Sequence, residues 1–375
     1  MIQSLLFFCF LLPLVFIIFK PKSKFKSKSD ERLAPKSYPF IGSYLSIYTN
    51  RHRLIQWTSD AVHNSPNFTF LLRRPFGQSR IITGNPTVVQ HILKTQFSTY
   101  QKGGIFRDTL FDLLGDGIFN VDGDAWKFQR QLSSHEFNTK SLRHFVEHVV
   151  DSELNERLLP ILTTAAANET VLDLQDILQR FAFDNICKIA FGYDPGYLTP
   201  SLPDAKFAVA FEDAVRISSE RFRMITPLLW KIQRLYPPVP IDTKAATVDD
   251  VFPDGTDVKK GMVVSYHPYA MGRMETLWGG DYIEFRPERW LKKDEREEKM
   301  RFVPRDPYTY PVFQAGPRIC LGKDMAFLQM KRVVAGVLRQ FKVVPVVNDG
   351  SEPVFVGALT SKMKGGFPVK IKERK

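Results

Sequence analysis

A chain of 375 residues that is 44% hydrophobic and 25% charged carries enough apolar material for one large domain or two smaller ones, which excludes a disordered or low-complexity protein. Its three cysteines, Cys9, Cys187 and Cys320, are too few and too scattered for a disulfide framework and suit a reducing compartment. The formal charge of +12 leaves nucleic acid, an anionic membrane or an acidic protein open as partners, and the location of the charge decides among them.

From Met1 to Phe19 no side chain is ionised, and Leu5 to Phe19 is apolar apart from Pro13. The run is slightly short for a membrane span, so a secretory signal peptide is weighed against an anchor. The flanks favour the anchor. No basic residue precedes the run and no small-x-small cleavage site follows it, whereas Lys20, Lys22, Lys24, Lys26 and Lys28 come directly after and are expected to stay cytosolic. Residues 20 to 36 carry seven Lys or Arg against Asp30 and Glu31, a local +5, so much of the basic excess is a collar beside the membrane, and nucleic acid is not expected as a partner. Pro35 and Pro39 stiffen the connection to the domain. The organisation expected is an anchor at 1–19, a basic and proline-rich linker at 20–43 and one domain at 44–375.

Phe68 to Leu72 and Arg80 to Thr83, flanking Pro75-Phe76-Gly77, are expected as two strands joined by a turn. Asn85 before Pro86 predicts a capped helix start, with Val88, Val89, Ile92 and Leu93 as its apolar stripe. Tyr100 to Phe119 is rich in glycine and apolar side chains, among them Phe106, Leu110, Phe111, Leu113 and Leu114; it is either a pocket wall or plain core. Trp126 and Arg130 stand four apart on a predicted helix capped by Asp122 or Asp124, so that both can face one anion. His144 and His148, with Glu147 between them, lack the spacing of a zinc helix, and Arg143 and Asp151 mark a solvated face. Phe181 to Gly192 is expected as a core helix closed by a glycine cap, with Cys187 inside.

Further on, Pro253-Asp-Gly255 predicts a turn and Met262 to Tyr266 the returning strand. In Pro311-Val-Phe-Gln-Ala-Gly-Pro-Arg-Ile-Cys-Leu-Gly-Lys323 a single cysteine is framed by glycines, an arginine and an aromatic. Gly316 and Gly322 permit turns that would aim amide hydrogens at the Cys320 sulfur and stabilise its thiolate, a good iron ligand. Lys323 to Leu338 is free of proline and predicts a helix whose positive end points at that sulfur. Phe341 to Val347 is expected as a strand, and Lys364-Gly-Gly-Phe367 as the turn of a final hairpin.

The run Phe313-x-x-Gly316-x-Arg318-x-Cys320-x-Gly322 resembles, at every signature position, the haem-binding loop of the cytochrome P-450 family of haem-thiolate monooxygenases. The resemblance implies a mainly α fold with small β-sheets and haem b as cofactor. It makes Cys320 the axial iron ligand, pairs Arg318 with a haem propionate and has Phe313 shield the sulfur. Trp126 and Arg130 match the family's Trp-x-x-x-Arg pair, which grips a propionate. The proline-rich connection resembles that of microsomal members, which implies an endoplasmic reticulum membrane location, with electrons from NADPH arriving through cytochrome reductase.

Resemblance runs from Met1 to about Trp230 and from about Gln233 to Lys375, and it breaks near 230–234. Lys231 stands where the glutamate of the family's Glu-x-x-Arg motif should be, directly before Leu235-Tyr-Pro-Pro-Val-Pro240. The long oxygen-activation helix with its acid-alcohol pair, which should precede that point, is absent. Arg107-Asp108-Thr109 and Glu298-Lys-Met-Arg301 mimic the two missing motifs out of order. Phe285-Arg-Pro-Glu-Arg-Trp290 resembles the motif whose arginine, here Arg289, completes a salt-bridged trio with Glu-x-x-Arg. With Arg234 and Arg289 present and the carboxylate gone, a penalty of about 3–5 kcal/mol is expected. Asp112 to Gly123 and Phe327 to Lys331 look most like plant omega-hydroxylases of fatty acids and of the jasmonoyl-isoleucine conjugate. The implied activity is insertion of one oxygen atom from O2 into a lipophilic carboxylate; the alternative is a haem-binding remnant without catalysis.

Overall fold

The computed structural model describes residues 35–38, 41–74, 79–137, 140–203, 235, 237–293, 300–346, 355–357 and 361–374. The expected anchor and lysine collar, the Pro75-Phe76-Gly77 turn, the junction at 230–234 and Glu298 lie outside the described residues. Among the described residues no helix is long and apolar enough to cross a membrane.

The fold is mainly helical with small sheets, as expected. Short helices α1 (Tyr44–Thr49) and α2 (Leu54–His63) lead into β1 (Thr69–Arg73) and β2 (Ser79–Thr83), which pair antiparallel with Phe70 opposite Ile82. Helix α3 (Pro86–Gln90) begins where the Asn85 side chain accepts the Thr87 amide at 3.0 Å, and a wide turn, His91–Thr95, prolongs it. Then come β3 (Tyr100–Gln101), α4 (Gly103–Leu114), α5 (Gly123–Phe137) and α6 (Lys140–Glu153). A second wide turn, Leu154–Leu158, carries α6 into α7 (Leu159–Ala167). After β4 (Val171–Asp173), α8 (Leu174–Phe191) stops at Gly192, whose φ of +64° places it in the left-handed region that glycine occupies freely.

Beyond the junction, β5 (Asp242–Ala246), β6 (Asp250–Val251), β7 (Asp257–Val258) and β8 (Val263–Tyr266) surround the expected turn, with Gly255 at φ +85°. Helices α9 (Pro268–Met271) and α10 (Glu275–Trp278) and the pair β9 (Leu291–Lys293) and β10 (Met300–Phe302) precede the cysteine loop. Helix α11 (Lys323–Gln340) follows it, running into β11 (Phe341–Pro345), then β12 (Phe355–Gly357), β13 (Ser361–Met363) and β14 (Pro368–Glu373).

One sheet has the order β1-β2-β8-β5-β3 and another β11-β14-β4, so each joins strands from both sides of the junction. The main apolar core does the same: Val146, Leu158, Leu162 and Phe181 pack with Val337, Phe341, Val369 and Ile371. Each such side chain contributes about 1.5–3 kcal/mol through burial. The expected final hairpin does not form. Gly365 and Gly366, at φ +85° and +76°, make the turn, but β13 pairs with β12 while β14 pairs with β11 and β4, so the turn passes the chain from one sheet to another.

His267 stands between β8 and α9 and is fully buried. Its Nδ1 accepts the Ala270 amide at 3.2 Å, so Nε2 carries the proton and donates to Thr58 Oγ1 at 2.9 Å, whose hydroxyl in turn donates to Leu54. Burial, reinforced by His63 and Arg273, pushes its pKa down to about 3, because a second proton would face the Ala270 N–H. The unfolded chain therefore binds the extra proton first, and stability is expected to fall as pH drops from about 6.5 toward 3, at up to about 1.4 kcal/mol per pH unit from this residue. Urea midpoints across that range, flattened in His267→Gln relative to the parent, check it.

Candidate haem-thiolate site

Two tight turns shape the cysteine loop before α11 begins. Pro311–Phe313 and Gly316–Arg318 each form a single 3-10 turn, and the Cys320 amide donates to the Phe313 carbonyl at 2.8 Å. That amide is therefore committed to the loop and is not among those expected to face the sulfur. The Phe313 ring packs on Phe327 of α11 at 5.2 Å between centroids. Cys320 is exposed, and Gly322, which caps α11, lies beneath its sulfur: a Cβ built there would be 4.0 Å from Sγ and 3.9 Å from the Phe137 ring of α5. Gly316 is held differently. At φ +65° it presses on α3's extension so closely that a Cβ would sit 2.1 Å from the Leu93 carbonyl oxygen. Gly316→Ala is accordingly expected to displace the loop and cut haem retention at least several-fold; haem-to-protein ratios after gel filtration read this, and Gly255→Ala, where a Cβ meets nothing, serves as the control.

Trp126 and Arg130 both project from α5 into this region but do not face one point. The guanidinium of Arg318 lies over the Trp126 ring at 4.5 Å, while Arg130 feels the negative charge of Cys320. Burial lowers the Arg130 pKa and the thiolate opposes that shift. Arg318 donates to Asp122 Oδ1 at 2.5 Å and to the Val121 carbonyl at 2.9 Å. Asp122 also accepts the Lys102 amide at 3.0 and 3.2 Å, so one carboxylate just before α5 ties the start of α4 to the cysteine loop. Its partners, rather than a simple helix cap, define its role.

Beside Arg318 lies a charged cluster that pattern reading missed. On β5, Asp242, Lys244 and Ala246 alternate onto the buried face. Lys244 Nζ donates to Asp242 Oδ2 at 2.8 Å, the Tyr266 hydroxyl donates to the same oxygen at 2.6 Å, and Lys102 Nζ stands 4.0 Å from Asp242 Oδ1. Lys102, Lys244 and Arg318 thus share two carboxylates, Asp242 and Asp122. Burial first, then Lys244 and Arg318, push the Lys102 pKa down to about 8 against the pull of Asp242 and Asp122. An incoming carboxylate would relieve that excess of positive charge. The signal in the sequence was a strand with charged residues at alternate positions facing inward, which is costly unless something receives them.

An exposed thiol above Gly322, Arg130 within its field and a buried cation surplus alongside fit haem b, with Cys320 as the metal ligand and Trp126, Arg130, Arg318, Lys102 and Lys244 toward its carboxylates. Among the apolar residues from Phe106 to Leu114 offered as a pocket wall, only Leu110 is buried, whereas Phe111 is 47% exposed and neighbouring Phe119 is 67% exposed. They sit on or after a helix, α4, rather than in a glycine-rich loop. Thr109 of the out-of-order acid-alcohol mimic spends its hydroxyl on the Ile105 carbonyl of that helix, at 2.6 Å. The Arg289 trio also departs from expectation: Arg289 Nη2 pairs with Asp281 Oδ1 at 2.5 Å, so a carboxylate is supplied from elsewhere. Lys231 and Arg234 lie outside the described residues.

The sequence profile of the cytochrome P-450 family matches residues 33–231 and 223–366. Cytochrome P-450 94A1 of Vicia sativa is 47% identical, with 91% of this chain and 90% of the relative covered, and 94A2 of the same plant is 43% identical over 100% and 98%. Cytochrome P-450 94B3 of Arabidopsis thaliana is 37% identical over 99% and 98%. A crystal structure of a cytochrome P-450 (CYP102L1) superposes with a TM-score of 0.67 at 15% identity, covering 86% of this chain and 98% of that one, which speaks for the fold alone. The fold and the cysteine loop define a haem-thiolate protein. The chain belongs to the cytochrome P-450 family. Its alignment with 94A2 has 505 positions and takes in all 375 residues, so at least 130 positions (505 less 375) have no residue here.

Proposed function

We propose that the chain carries the scaffold of a membrane-anchored haem-thiolate monooxygenase of the plant omega-hydroxylase branch. The exposed Cys320 sulfur beside Arg130, flanked by the Arg318, Lys102 and Lys244 cations, is the observation that carries this reading. Bound haem supplies activation of O2 when electrons arrive from NADPH through cytochrome reductase. The protein's own part is to hold the thiolate, neutralise the haem carboxylates and offer an apolar chain a surface to bury. The reaction of the branch is insertion of one oxygen atom into a fatty acid or a jasmonoyl-amino acid. Leu5 to Phe19 and the lysines after it support an anchor in the endoplasmic reticulum membrane, with the domain toward the cytosol.

A second reading is favoured by one observation, the 130 or more alignment positions without a residue: the chain binds haem and does not turn over. The substrate class is tested on a chain in which the absent block has been restored from 94A2. Hydroxylation of long fatty acids or jasmonoyl-isoleucine is expected, because burial of an apolar chain is non-directional and suits a pocket drawn from 31 phenylalanines. Turnover of neither, with good activity on a rigid polycyclic or a sugar, would overturn the assignment.

A further inference from the structure

Arg289 uses its guanidinium on three acceptors. Nη1 donates to the Trp278 carbonyl at 2.6 Å, and Nη2 donates to the Asp281 carbonyl and carboxylate, each at 2.5 Å. Nε is buried and has no hydrogen-bond partner among the described residues, the direction from which a further acceptor would have to come. Asp281 is itself held from the other side by Arg286 at 2.5 Å. Asp281 follows Gly279 and Gly280 after α10, and Gly279, at φ +83°, turns the chain so that Asp281 comes back to Arg289.

The residue after Arg289 connects this pair to the cysteine loop. Trp290 lies 5.0 Å from Tyr310 and 6.1 Å from Trp278 between ring centroids, and Trp278 and Tyr310 are 6.0 Å apart, so the three rings form one cluster. Trp278 is pinned by its indole N–H to the Met271 carbonyl at 2.7 Å. Arg305 adds a clasp, donating to the Arg289 carbonyl at 2.8 Å. Tyr310 immediately precedes Pro311, where the turns that carry Cys320 begin.

We propose that Asp281 is a positioning residue for the thiolate: by clamping Arg289 it seats Trp290 against Tyr310 and so fixes the start of the Cys320 loop, in a chain that has Lys231 where a glutamate would share that work. This rests on the assignment of Cys320 as the haem ligand, and the two fail in different ways.

The test reconstitutes the full-length chain with haemin, in lipid nanodiscs, and reads the fraction of thiolate-type signal in the reduced carbon monoxide complex. Helical circular dichroism of the apoprotein is read in parallel. Asp281→Asn is expected to lower the thiolate fraction about tenfold with the helical signal of the apoprotein retained, Asp281→Glu to keep most of it, and Arg286→Gln to leave it unchanged. In the Asp281→Asn, Arg289→Gln double variant the loss should be no larger than in Arg289→Gln alone, because both act through one contact. A parent chain without thiolate signal would defeat the ligand assignment. A parent with it and an Asp281→Asn variant that equals it would defeat this inference alone. Outright unfolding of the Asp281→Asn apoprotein would defeat it too, since Asp281 would then hold the whole fold and not the loop.

Discussion

Cys320→Ala is expected to abolish the thiolate-type band of the reduced carbon monoxide complex while leaving the apoprotein's helical content intact. The substitution removes a side chain that is exposed and packs into no core, so stability changes little. What disappears is the thiolate sulfur held above Gly322 at the start of α11, whose amide end favours a negative charge there. Residual haem would be held through its carboxylates by Arg318, Lys102 and Lys244 and would show a different spectrum. An unchanged thiolate band in Cys320→Ala would disprove the ligand assignment. Cys187 provides the contrast: it is buried in α8 and raised in pKa by burial first and by Asp184 second, so Cys187→Ala should leave the spectrum alone.

The second large effect is on turnover. With reductase and NADPH present, the unmodified chain is expected to yield essentially no hydroxylated product, a loss of several orders of magnitude against a restored chain, and to pass the reducing equivalents into peroxide. No acid-alcohol pair stands in family order to move protons, and Thr109, which mimics its alcohol, is occupied by the Ile105 carbonyl. Phe111 and Phe119 lie open to water, where a closed site would exclude it. Lys231→Glu should raise haem retention, giving Arg289 Nε the acceptor it lacks, without raising product formation. Product formed in step with NADPH consumption by the unmodified chain would refute the reading of the junction.

Where a local rule decides the structure, the sequence was sufficient. Asn85-Pro86 starts a helix, Gly192 ends one, Pro253-Asp-Gly255 turns the chain, and Lys323 onward is helical, because each depends on neighbours a few residues away. Helix α4 was missed because Gly103-Gly104 reads as a loop start; there Gly103 works as the close-contact residue that meets Ala245 of β5. The final hairpin was missed because pairing of β14 with β11 and β4 is decided by strands far away in the chain. At the site, the spacing around Cys320 marked the loop and the Trp126 helix. It could not show that Arg318 finds Asp122, 196 residues earlier, or that Arg289 finds Asp281, since a salt bridge between distant residues leaves no periodic trace.

Strand β4, three residues long, deserves a last physical reading. It comes before the junction yet adds antiparallel to β14 at the C-terminus, with Leu172 opposite Val369 and the Leu174 amide donating to the Phe367 carbonyl at 2.9 Å. On the near side of the junction the chain is fastened as far as Pro203, whose carbonyl takes a 2.8 Å hydrogen bond from Arg180; on the far side Leu235 is already buried. The peptide between those two points is thus the least needed covalent link in the domain. A protease site placed between residues 204 and 234 could be cut and leave one particle: the fragments would co-elute, part only in denaturant, and reassemble when mixed, a two-piece protein held by its own zipper of strands.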